Sequence, residues 1–124
     1  LQEAAFLRES LVIKPALSLI RKPVAGSNWL SVGDAAAVYD PISSQGVYKA
    51  LLDGIRAGQT VGSLIHGRTP VVSRYAADVR NRFNDFLLNQ THLYGLERRW
   101  ADSPFWRLSR QSSRAAVQRA GLRV

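Results

Sequence analysis

The sequence predicts an α/β fragment: a terminal strand followed by a mainly helical C-terminal region. Three observations carry this. A short apolar run, Trp29 to Val32, ends in Gly33-Asp34. From Gly46 to about His66 apolar residues recur at helical spacing. Beyond Pro70, residues Val72, Tyr75, Val79, Phe83, Phe86, Leu87 and Leu93 mark one long amphipathic helix to about Arg98.

Taken in order, residues 1–9 have helix-forming composition and suit the last turns of a helix. Leu11-Val12-Ile13 suits a short strand or apolar connection, and Lys14-Pro15 breaks any helix there. Ala16 to Ile20 is expected to be a strand. Pro23, Gly26, Ser27 and Asn28 predict a loop or hairpin turn before the buried strand Trp29–Val32. In the helix from Gly46, small residues recur every four positions at Gly46, Ala50, Gly54, Gly58 and Gly62. Three interior glycines cost roughly 3 kcal/mol relative to alanine, so close approach of another backbone or a ligand is expected along that ridge. Gly67 stops this helix, Thr69 is the expected N-cap of the next, and Pro70 suits its first position. Asp102-Ser103-Pro104 caps a last helix with Phe105, Trp106 and Leu108, which Ala115, Ala116, Val117 and Ala120 continue beyond Ser112-Ser113.

Composition narrows the chemistry. The 124 residues contain no Cys, which removes disulfides and thiolate sites, and His66 and His92 lack metal-ligand spacing, so no metal site is expected. No apolar run approaches the ~18 residues of a membrane span. No secretory pattern opens the chain, and a cytoplasmic location is expected. A chain without Met that begins at Leu1 is expected to be a processed product or part of a longer protein. Most of the net charge of +8 sits in the tail: residues 98–124 hold seven Arg against Asp102 alone. Such a tail suits a solvated helix covering a neighbouring domain. The alternative is a basic binding module whose Arg107, Arg110, Arg114, Arg119 and Arg123 meet nucleic acid, a reading the sequence does not favour.

The most specific chemistry lies between Gly33 and Val47. A carboxylate at Asp34 can accept hydrogen bonds from the hydroxyls of a polyol, and Gly33 permits close backbone approach. Asp40-Pro41 turns the chain, and Ser43-Ser44-Gln45-Gly46 leads into the helix, with Ser43 or Ser44 as its N-cap. The first N–H groups of a helix have no internal partner and carry partial positive charge, so they favour an anion or an electron-rich carbonyl.

These residues resemble the second FAD motif of the p-hydroxybenzoate hydroxylase-like flavoproteins, a group that includes aromatic hydroxylases, geranylgeranyl reductases and tryptophan halogenases. The shared pattern, an apolar strand, Gly-Asp-Ala-Ala, a Pro, a small-residue turn and a helix, falls here on Gly33, Asp34, Ala35, Ala36, Pro41 and Gly46. Asp40-Pro-Ile-Ser-Ser-Gln-Gly46 followed by Tyr48 is most similar to the tryptophan halogenase-like branch, including flavoproteins that modify Trp or assist maturation of quinone-cofactor enzymes. The resemblance implies an FAD-binding fold. Residues 1–28 would end a substrate-domain segment and supply a return strand. Residues 29–66 would form the second half of the FAD-binding domain, and residues 67–124 a helical C-terminal region. It assigns cofactor binding to Gly33, Asp34, Pro41, Ser44, Gln45, Gly46 and Val47, with Asp34 on the ribityl chain and Pro41 to Val47 beside the isoalloxazine. No Gly-x-Gly-x-x-Gly occurs, so the dinucleotide half of the site would come from an N-terminal segment of the same flavoprotein. The implied activity is a monooxygenase, reduced by a nicotinamide or a reductase, that oxygenates an aromatic substrate such as a peptidyl Trp through a flavin C4a-hydroperoxide. Ser18 would line the substrate side, and no residue is assigned as general acid or base. Halogenation of a Trp-like substrate is the alternative, with chloride near Gln45-Gly46.

Overall fold

The computed structural model describes residues 17–68 and 70–123. Its elements run β1 (Leu19–Ile20), a 3-10 turn (Gly33–Ala35), β2 (Ala37–Val38), a second 3-10 turn (Pro41–Ser43), α1 (Gly46–Ile65), α2 (Val71–Leu96) and α3 (Pro104–Arg119). The expected helix at 1–9, the apolar segment Leu11–Ile13 and the N-cap at Thr69 lie outside the described residues.

β1 and β2 pair antiparallel, with Leu19 opposite Val38 and Ile20 opposite Ala37. The strand expected at Trp29–Val32 does not form. A strand exists through its ladder, and among the described residues this segment finds only the short arm of its own turn, where Leu30 bridges Ala25. Gly33 then bends the chain at φ 58, a left-handed conformation that glycine adopts without a Cβ penalty. The Gly-Asp pair therefore sits in a 3-10 turn and not at a strand end.

The helices follow the sequence pattern more closely. α1 ends at Ile65, and Gly67 just beyond it has a φ of 78 that lets its N–H reach the Leu64 carbonyl at 2.9 Å. α3 starts at Pro104 and continues unbroken through Ser112-Ser113. At the start of α1 the N-cap is Gln45, without a side-chain cap bond, and not Ser43 or Ser44. Ser44 has a left-handed backbone, φ 51, which removes it from the capping geometry.

The core is built along α2. Val24, Ala36, Ala57, Tyr75 and Val79 form one buried cluster. Ala37, Phe83, Phe86, Leu87 and Val117 form a second. Tyr39 stacks on Phe86 with ring centroids 4.1 Å apart, which anchors the chain leaving β2. Val117 is wholly buried and fastens α3 to the second half of α2.

α1 turns an unexpected side inward. Its buried residues are Lys49, Asp53, Ala57 and Thr60, whereas Val47, Leu51, Ile55, Val61 and Ile65 are exposed. A Cβ built on Gly54, Gly58 or Gly62 meets nothing within 4 Å. The close neighbour expected along the glycine ridge is therefore not among the described residues.

Leu87 is nearly inaccessible at the meeting point of α2 and α3. Leu87→Ala is expected to cost about 2–5 kcal/mol of stability, measured by chemical denaturation; a loss below about 1 kcal/mol would mean that this contact is not a true core.

Candidate functional site

Asp53 is the point from which the candidate site is built. Only 1% of its side chain is exposed. Oδ2 accepts the Gly33 backbone N–H at 3.2 Å, and Oδ1 accepts from Arg82 Nη1 at 2.5 Å. α1, α2 and the Gly33 turn are thus tied through one carboxylate. Arg82 continues to Asp78, which also binds Arg56 of α1. Burial alone would raise the Asp78 carboxyl, but the Arg56 hydrogen bond and the Arg82 charge outweigh it and hold it below the usual range. A charge on Asp53 is tolerated at this depth because its partners are cationic and hydrogen-bonded.

Asp34, next to Gly33, is presented outward with 74% of its side chain exposed. It accepts no hydrogen bond from the described residues; its nearest cation is Lys49 Nζ, 3.6 Å from Oδ1. Lys49 belongs to the first turn of α1, so Asp34 and the helix mouth share a neighbourhood. Ser44, Gln45, Gly46 and Val47 are all exposed at that mouth. A Cβ on Gly46 would meet nothing within 4 Å. The first-turn N–H groups thus lie open and uncapped.

Asp40 organises the turn between these parts. Its Oδ1 accepts from the Ile42 N–H at 2.9 Å, and Ser43 Oγ donates to its carbonyl at 3.0 Å. Its Oδ2 accepts from Tyr94 Oη at 2.8 Å and Gln90 Nε2 at 2.9 Å. Burial, reinforced by the hydrogen bond to Asp40, pushes the Tyr94 hydroxyl up to about 12. Pro41 and Ile42 form one wall of a cleft of about 720 Å³. Ser18 and Tyr94 also line it, and Phe105 and Trp106 give it an aromatic side. Phe105 and Trp106 meet edge-on at 5.1 Å.

Of the residues singled out from sequence, Gly33 and Asp34 lie at one edge of α1. Ser44 to Val47 lie at its mouth, and Pro41 faces the cleft beyond. Ser18 reaches the cleft and donates to Gln90 Oε1 at 3.3 Å. Sequence reasoning missed Lys49, Asp53, Arg82, Gln90 and Tyr94. The available signal was the i,i+4 pair Lys49-Asp53 on the same side as Ala57 and Thr60, which a hydrophobicity argument assigns to solvent. In the basic tail, Arg110 donates to the carbonyls of Glu97 and Ala101 and so closes the α2–α3 connection.

The residues present fit a cofactor that carries a hydroxylated chain and an electron-rich edge. The Asp34 carboxylate has acceptor capacity to spare, the helix mouth has unused donors and a side-chain-free position, and a buried ammonium beside them lacks a hydrogen bond.

The sequence is similar to parts of known proteins. Over 92 residues, 74% of the chain, the sequence is 29% identical to a protein named the FAD-dependent oxidoreductase LodB of Marinomonas mediterranea, of which it covers 24%. Over 46 residues, 37% of the chain, it is 44% identical to a brominase of 1H-pyrrole-2-carbonyl peptidyl-carrier protein from Pseudoalteromonas luteoviolacea, of which it covers 11%. The chain thus spans about a quarter or less of these curated relatives. No protein-family model matches it, and no solved structure does. The similarities are to enzymes, one an FAD-dependent oxidoreductase and one a halogenating enzyme. Among the described residues no helix is long and apolar enough to cross a membrane.

Two predictions follow from the geometry. Asp53→Ala leaves the buried Lys49 and the half-buried Arg82 without their shared partner and is expected to cost about 3–5 kcal/mol, read from denaturant midpoints. Tyr94 and Tyr39 both titrate near 12, raised chiefly by burial, against 10.0 for an ordinary tyrosine. The folded protein holds these protons more tightly than the unfolded chain. Their contribution is therefore complete below pH 10 and is lost as pH rises towards 12. Tyr94→Phe should flatten part of that alkaline loss in a series of denaturation curves; an unchanged profile would contradict the assignment.

Proposed function

We propose that this chain is the C-terminal portion of a flavin-dependent monooxygenase that oxygenates an aromatic substrate, with peptidyl Trp preferred. The observation that carries the reading is the position of the Asp40–Ser43 turn. On one side it leads into the open mouth of α1, near Asp34; on the other it forms a wall of an aromatic-sided cleft. A cofactor edge and a substrate ring held on the two sides of one turn would be neighbours, which is what transfer between them requires.

In this reading Asp34 holds the polyol chain of FAD, and the N–H groups at Gly46 and Val47 stabilise negative charge on the flavin edge. An N-terminal segment of the same flavoprotein supplies the dinucleotide contacts. FAD held there and reduced by a nicotinamide or a reductase would supply the electrons for O2 reduction, with one oxygen atom destined for the substrate and the other for water. Phe105 and Trp106 present ring faces and edges to an aromatic substrate, while Ser18 and the Asp40–Gln90–Tyr94 network provide polar groups. Similarity to an FAD-dependent oxidoreductase over 74% of the chain supports the cofactor.

Halogenation is the second reading, supported by 44% identity to a brominase over 46 residues. The two differ in product, and mass spectrometry of a Trp-containing peptide incubated with bromide distinguishes gain of oxygen from gain of bromine.

The intact protein is expected to be yellow. Asp34→Ala should remove retained FAD while leaving the circular dichroism spectrum near wild type. Undiminished cofactor content would refute the role of Asp34, and a colourless wild-type protein would refute the flavin reading.

A further inference from the structure

Lys49 is buried without a hydrogen bond. Its side chain is 4% exposed, and Nζ has no hydrogen-bond partner among the described residues. The ammonium stands 3.6 Å from Asp34 Oδ1, 3.7 Å from Asp53 Oδ2 and 5.1 Å from the centre of the Tyr39 ring. A lysine head group has three donors, and leaving all of them unused in the interior is unfavourable. Asp53 already accepts one hydrogen bond on each oxygen, from Arg82 and from Gly33. Asp34 is the uncommitted acceptor. Position 49 also lies one helical turn from the mouth: its own N–H completes that turn on the Gln45 carbonyl at 2.8 Å.

We infer that Lys49 is a positioning residue for the cofactor site. Its buried ammonium holds the Asp34 carboxylate from below, so that the outward lone pairs face the hydroxyls of the bound polyol chain. This rests on the flavin reading above. Two features favour it over a purely structural ion pair. First, Asp53 already has a hydrogen-bonded cationic partner in Arg82, and Lys49 beside it makes no hydrogen bond, so burying this second cation adds a desolvation cost. Secondly, Lys49 sits between two carboxylates, one locked in the core and one free at the surface, which suits transfer of order from the first to the second.

The test is a double-mutant cycle on FAD affinity in the complete flavoprotein, stripped of cofactor and titrated with FAD while flavin fluorescence is followed. Lys49→Met is expected to weaken FAD binding by about tenfold, the size of a coupling between contacting groups. In an Asp34→Asn background the same change should have no further effect. Circular dichroism of the apoproteins establishes that each variant is folded, and Lys49→Gln takes the place of Lys49→Met if the latter is not. Equal losses in both backgrounds would overturn the inference, because Lys49 would then act through the fold alone. Unchanged affinity in Lys49→Met would also overturn it. Wild-type protein that binds no FAD would instead overturn the flavin reading, and this inference with it.

Discussion

The structure depends on the Asp53 carboxylate. It accepts a backbone N–H from the Gly33 turn and a guanidinium from α2, and it sits beside the ammonium of Lys49. Removing such a charge from water is costly, and only a full set of partners offsets the cost. The carboxylate therefore fixes where the turn lies on α1, and the turn in turn fixes where Asp34 emerges. The exposed acid inherits its location from the buried one, nineteen residues later in the chain.

The same arrangement explains why the inward side of α1 is charged. Lys49, Asp53, Ala57 and Thr60 face α2 and the turn, where Arg56, Arg82 and Asp78 extend the ionic chain. Specificity of register is a natural result, because an apolar interface tolerates sliding and a hydrogen-bonded charge does not. The apolar residues of α1 lie elsewhere on its surface, with the glycine ridge open beside them. A helix with a polar buried side and an apolar exposed side is the reverse of the usual soluble pattern, and it accords with a chain that spans only a fraction of the relatives it matches.

Legibility from sequence varied with the kind of signal. Helices were readable because their signals are local: Gly67 and Pro104 punctuate, and Tyr75, Val79, Phe83 and Leu87 repeat at helical spacing along α2. The Trp29–Val32 strand was misjudged because an apolar run carries no information about which partner completes its ladder. Ser43 and Ser44 have the composition of a cap, but the left-handed backbone at Ser44 depends on how Asp40 grips the turn, and that is set by α2. The candidate motif residues Gly33, Asp34 and Gly46 stand out in the sequence because Gly-Asp and Ser-Ser-Gln-Gly are local signals. Arg82, Gln90 and Tyr94 do not, because they act across separations of 29 to 54 residues that no spacing rule encodes.

Asp40 gives the molecule a mechanical linkage. One of its oxygens shapes the Pro41 turn from within, and the other is gripped by Tyr94 and Gln90 from the far end of α2. Both grips act on a rigid, planar group, so the turn cannot tilt without dragging that helix or breaking one of these hydrogen bonds. Trp106, on the aromatic side of the cleft, meets the same Tyr94 edge-on. The aromatic side of the cleft, the Pro41 turn and the segment leading into α1 thus converge on a single side chain.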